Sequence, residues 1–219
     1  MHRELPANPL SIQLTVAHER LWWQTEQTDE QPERWEVSAD IWGMEEADYE
    51  ARHVGDISLA LADLAMERNL TDSAMLGDWA VGFIADLVTD STFGVLHPDL
   101  ESRFTPGPAH LVVINNVSVT EPWRGHGVGA ALTASTLLVF SRYARLAACH
   151  VSPHDLLSTG HDPVSAELAS ARLGMKLESI GFERWHDAYI VDLRSPILRE
   201  ARRRVIRQWW PNDEETGPL

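Results

Sequence analysis

The 219-residue chain contains a single cysteine, Cys149, and a single lysine, Lys176. One thiol excludes an internal disulfide. With one lysine and no G-K-[ST] triplet, a phosphate loop of the ATPase or GTPase kind is excluded too. Long hydrophobic runs are also missing. The best stretch, Gly125 to Ser141, carries His126, three glycines and several Ser and Thr, with arginine on both flanks, so no membrane span is expected. The opening MHRELPANPL lacks the apolar stretch of a signal peptide, and a cytoplasmic protein is the expectation. Positive charge is scarce: 18 Lys+Arg stand against 33 Asp+Glu, for a formal charge of −15. Such a surface repels phosphate backbones and attracts cations, so nucleic acid is not an expected partner.

The hydrophobic set makes up 44% and the charged set 23% of the residues, which suits a globular protein with a sizeable core. Residues 11–24 and 33–42 are rich in β-branched and aromatic residues, and the polar TEQTDEQP between them suggests a hairpin or long strand connection. Residues 51–64 suggest a third strand. Trp79, Phe83 and Leu87 recur at helical spacing within 76–90. Pro98, Pro106, Gly107 and Pro108 predict a loop over 97–109, and LVVINNVSV, 111–119, follows as a strand of a sheet interior. Downstream come a glycine turn, a helix from Gly127 to Arg145 carried by Val128, Ala131, Leu132, Ser135 and Val139, and a strand at 146–151. Asp162-Pro163 opens a helix that runs to Ser179 before Gly181, and a hairpin at 182–193 closes around His186-Asp187. The expectation is one α/β domain with a mixed sheet over 1–195, a basic amphipathic helix at 196–210 and a tail at 211–219. That helix would dock on its own domain or bridge a homodimer.

The most informative segment is Arg124-Gly125-His126-Gly127-Val128-Gly129. Glycines before a helix start let backbone N–H groups converge on an anion at the positive end of the helix dipole. A tight connection without a ligand is the plain alternative. Gly125, Gly127 and Ala130 also satisfy G-x-G-x-x-A, but they lie five residues beyond the strand, and the next strand ends in His150-Val151-Ser152 with no carboxylate for a ribose.

With its flanks, VSVTEPWRGHGVGAAL (117–132) resembles the coenzyme A signature [RQ]-x-x-G-x-[GA] of the GNAT acyltransferase superfamily, preceded by that family's central strand. A second helix, Ile180-Gly181-Phe182 and a terminal hairpin fit the same order, so the resemblance covers about 111–193. It implies a GNAT-like sheet that splays beside the signature strand, with the pantetheine arm along Val117, Ser118 and Val119. The diphosphate would lie on amides of Arg124, Gly125, His126, Gly127, Val128, Gly129 and Ala130. Ser170 occupies the position of an asparagine that often contacts pantetheine, Leu177 that of a tyrosine acid, and Val113 that of a strand glutamate.

The resemblance implies an N-acyltransferase, with acetyl-CoA as donor and a small basic amine or a protein amine as acceptor. The alternative is a non-catalytic module that binds coenzyme A as a sensor or assembly surface. Without the tyrosine and glutamate, the base must come from elsewhere. Among Cys149, His150, His154, Asp155, His161 and Asp162, the spacing matches no metal-ligand pattern, so no metal is expected. His154 is the expected general base, with His150 as its partner or replacement. Tyr143 and Tyr189 are further acid candidates.

Overall fold

In a computed structural model of the chain, the described residues are 4–19, 32–43, 51–64, 79–90, 95–158, 160 and 162–210. The strands are β1 (Ile12–Glu19), β2 (Glu33–Ile41), β3 (His53–Asp63), β4 (Thr89–Asp90), β5 (Val95–Leu96), β6 (His110–Val119), β7 (Leu146–His150), β8 (Glu183–Trp185) and β9 (Ala188–Asp192). The helices are α1 (Trp79–Val88), α2 (Pro98–Arg103), α3 (Val128–Phe140), α4 (Pro153–Ser158), α5 (Pro163–Ser179) and α6 (Pro196–Arg207). Seven strands form one mixed sheet in the order β1-β2-β3-β6-β7-β9-β8, and β4 pairs with β5 apart from it. Within the seven-stranded sheet only β6 and β7 run parallel, as a helical crossover through α3 requires.

Strand alternation splits the core in two. Val112 and Ile114 of β6, with Ala147 and Cys149 of β7, face Val128, Leu132, Leu137 and Phe140 of α3 and Leu198 and Ala201 of α6. Leu111, Val113, Leu146 and Ala148 point the other way, toward Val81, Ile84 and Val88 of α1 and Leu100 of α2. The sheet is therefore covered on both sides, which explains the near-continuous apolar run at the start of β6.

Three expectations are corrected. The loop forecast over 97–109 contains α2, because Pro98 sits at the first helical position and His97 caps it, with Nδ1 accepting from the Asp99 N–H at 3.3 Å. Helix α4 lies in a segment for which no helix was expected. Helix α3 ends at Phe140, and Val139, assigned to the inner stripe, is exposed. The seven strands of the large sheet and α5 match the sequence reading to within a few residues, whereas β4 falls within the stretch 76–90 read as helical and β5 was not expected. Asp162 caps α5 through hydrogen bonds from the N–H groups of Val164 and Ser165, both at 3.1 Å. Trp22, Trp23, His161 and the tail lie outside the described residues.

Candidate functional site

The parallel pairing of β6 with β7 covers only Leu111–Ile114 against Leu146–Cys149. Beyond Ile114 the strands part, while β6 stays on β3 as far as Val119↔Gly55. A β-bulge marks the point: Ile114 is in register with Leu59 and Asn116 with Ser58, leaving Asn115 as the extra residue. Burial changes there as well, from fully covered at 111–114 to exposed at 115–118. A strand expected to be interior throughout thus opens a backbone edge on its β7 side. The bulge also shifts the phase of β6. Ile114, and not Asn115, shares the alternating face of Val117 and Val119, whereas Asn116 and Ser118 line up with Ser58 and Asp56 on the α1 side.

The glycine turn follows directly. Thr120 Oγ1 donates to the carbonyls of His53 and Val54 at 2.9 and 3.2 Å, and buried Trp123 donates its indole N–H to Ala51 O at 2.8 Å. These two side chains, which carry no motif in the sequence, anchor the turn to the start of β3. Gly125 and Gly127 have φ of +90° and +80°, a conformation costly for residues with a Cβ. Gly127 caps α3 without a side-chain hydrogen bond, so the first amides of the helix, Val128, Gly129 and Ala130, have neither an intrahelical acceptor nor a side-chain cap. A Cβ on Gly129 would lie 3.2 Å from Val119 Cγ2, and one on Gly125 would meet nothing within 4 Å. Arg124 is exposed and its Nε donates to Val119 O at 2.7 Å. The guanidinium is thus fastened to the strand end through Nε. His126 is half-buried.

Helix α6 completes this corner. It packs along α3, Arg202 Nε donates to Ser135 Oγ at 2.9 Å, and Gln208 Nε2 comes within 3.3 Å of the Cβ position of Gly127. Leu198 and Ala201 are buried, Val205 and Trp209 are partly buried against the same core, and Arg199, Arg203 and Arg207 are exposed. Helix α6 thus docks on its own chain, as anticipated for one of its arrangements.

On the opposite side of the gap, His150 ends β7, half-buried on the α1 side with its ring edge-on to Phe83 at 4.9 Å. His154 is exposed at the start of α4, and its backbone N–H donates to Ser152 Oγ at 3.1 Å. The Asp155 side chain is outside the described set. Tyr189, in register with Cys149 on β9, packs its hydroxyl on Gly174 of α5, 2.2 Å from where a Cβ would sit. Ser170 and Leu177 are half-buried on that helix, whereas Tyr143 is exposed beyond α3. Val113 is fully buried on the α1 side, where a lone glutamate would be costly. Burial pushes the Cys149 thiol up to about 12, leaving it protonated and a poor nucleophile.

Sequence reasoning missed one polar cluster. His53 lies between Asp40 Oδ1 (3.0 Å from Nδ1) and Asp56 Oδ2 (2.9 Å from Nε2), and Ser38 Oγ donates to Asp40 at 2.7 Å. Two carboxylates on two ring nitrogens call for a doubly protonated imidazolium, and the hydrogen bond to Asp40 leads in raising the His53 pKa. The acidic segments EQTDEQPE and MEEADYE fall almost wholly outside the described residues. Among the described residues no helix is long and apolar enough to cross a membrane, and no three His, Cys, Asp or Glu are grouped to hold a metal ion. Compared with models of known protein families and with curated protein sequences, the chain matches none.

Proposed function

We propose that the chain is an acyl-CoA-dependent N-acyltransferase of the GNAT type that transfers acetyl from acetyl-CoA to a basic amine. The observation that carries this reading is the combination at one corner of the sheet. A bulged strand leaves its parallel partner at Asn115 and runs straight into a glycine turn whose helix amides have no acceptor. The gap suits an extended pantetheine arm bonded to β6 over Val117–Val119, and the turn suits a diphosphate. The C-terminal turn of α6 sets Gln208 beside it.

In this reading the amine enters from the α1 side, where His150, Asn116, Asp56 and Asp40 lie. Its nitrogen attacks the thioester carbonyl carbon, and freed backbone N–H groups near the bulge receive the oxyanion. The C–S bond then breaks to give amide and thiolate. His150 at the strand end is the proposed base for the ammonium proton, directly or through water, with exposed His154 as second choice. The Tyr189 hydroxyl, on the inner face of α5 one turn before Leu177, is the proposed proton donor to the thiolate. Incubation with acetyl-CoA and a panel of amines tests the reading through release of free coenzyme A. Binding of acetyl-CoA without turnover on any amine would favour the non-catalytic sensor instead, a reading motivated by Leu177 and Val113.

A further inference from the structure

Helix α5 lies on its own chain by one narrow face: Ala166 and Gly174 are buried, and Ser170 and Leu177 are half-buried. Directly opposite runs an apolar stripe open to solvent, Val164, Leu168, Ala171 and Met175, with exposures of 66% for Val164, 54% for Leu168 and 61% for Met175. The spacings of four, three and four residues follow the d-a-d-a alternation of a two-helix seam. Asp162 and Pro163 bound it at one end, and Glu178, at the next d position, ends it at the other. From Val164 to Met175 the stripe is about 17 Å long.

The flanks differ in sign. Glu167 lies on one side of the stripe and Arg172 and Lys176 on the other, and among the described residues none of the three forms an ion pair. In seam positions Glu167 is a g residue and Arg172 the e residue five places on, the pair that meets across a parallel dimer. An antiparallel pair would set glutamate flank against glutamate flank. The tail 211–219, PNDEETGPL, has one large apolar residue, Leu219, and is a poor cover for the stripe. An anionic lipid surface is disfavoured by the −15 charge.

We propose that α5 is a self-association surface on which a second copy of this chain docks its own α5 in parallel, with Glu167 of each copy opposite Arg172 of the other. A stripe this short covers less than the roughly 800 Å² per partner typical of stable interfaces. The dimer is therefore weak, and is best read by sedimentation equilibrium of the full chain over roughly 10 to 500 µM. Leu168→Glu should raise the dimer dissociation constant about tenfold or more. Glu167→Arg and Arg172→Glu should each weaken the dimer, and the double exchange should restore it. Because Cys149 is buried, Val164→Cys and Met175→Cys can be oxidised one at a time, and each should form a covalent dimer. A chain that stays monomeric throughout, a dimer indifferent to Leu168→Glu, or a failure of both end cysteines to cross-link would overturn the proposal.

Discussion

Gly127 is where backbone geometry and the proposed ligand chemistry coincide. Its φ of +80° disfavours a side chain, and the space a Cβ would occupy is already bounded by Gln208 at 3.3 Å and Val205 at 3.8 Å. Gly127→Glu adds bulk and a negative charge to amides proposed to hold a diphosphate, so acetyl-CoA binding should fall below detection by calorimetry while circular dichroism stays native. Normal binding by a folded variant would remove the turn from the site. The proton-transfer roles are separable in the same way. His150→Gln should lower kcat/KM by about 100-fold and remove the acidic limb of the pH–rate profile, with His154→Gln much milder. The reverse ranking would move the base to His154. Tyr189→Phe should lower kcat more than KM, since only proton delivery is lost. These residues were legible in unequal degree. The glycines announce themselves, whereas Asn115 looks like any strand residue, because a bulge is fixed by what the neighbouring strands do.

Capping chemistry made several elements readable: Asp162-Pro163 starts α5 and Ser195-Pro196 starts α6, and both are local signals. Helix α2 was hidden because Pro98 reads equally as a loop residue or a first-turn residue, and what secures it is distant in sequence. Buried Arg145, just before β7, donates to Glu101 Oε2 at 2.5 Å and to the carbonyls of Phe104 and Thr105, both at 2.8 Å. Arg145→Met strands those carbonyls and should cost about 2 to 3 kcal/mol, a Tm loss of about 5 to 10 °C for a chain of this size. Glu101→Gln should cost far less, since Glu101 is exposed. The β2–β3 pair carries its own pH signature. The folded-state pKa of His53 is raised above 6.5, chiefly by Asp40, so its contribution is fully present below 6.5 and is lost as pH rises through the raised value. Thermal melts from about pH 6 to pH 8.5 should therefore show a fall in Tm for the wild type that His53→Asn flattens. Parallel curves for the two proteins would assign the cluster no role in stability.

At the scale of the molecule, the −15 charge acts oppositely on the two proposed substrates. Coenzyme A carries a diphosphate and a 3′-phosphate and is repelled by the chain as a whole. The local answer is α6, which holds five of the chain's 17 arginines, Arg199, Arg202, Arg203, Arg204 and Arg207, and whose C-terminal end abuts the glycine turn. A basic amine is drawn toward the acidic surface, with Asp40 and Asp56 on the side where it is proposed to enter. Screening separates the two effects, because the Debye length shrinks from about 30 Å at 0.01 M salt to about 10 Å at 0.1 M. Over that range, kcat/KM for a dicationic amine should fall several-fold, while the KM for acetyl-CoA should hold or decline as global repulsion is screened. Arg204→Ala with Arg207→Ala should raise the KM for acetyl-CoA most at low salt and leave the amine dependence unchanged. If the amine rate is flat with salt while acetyl-CoA still turns over, the acceptor is not selected by charge, and a neutral or anionic amine becomes the substrate to seek.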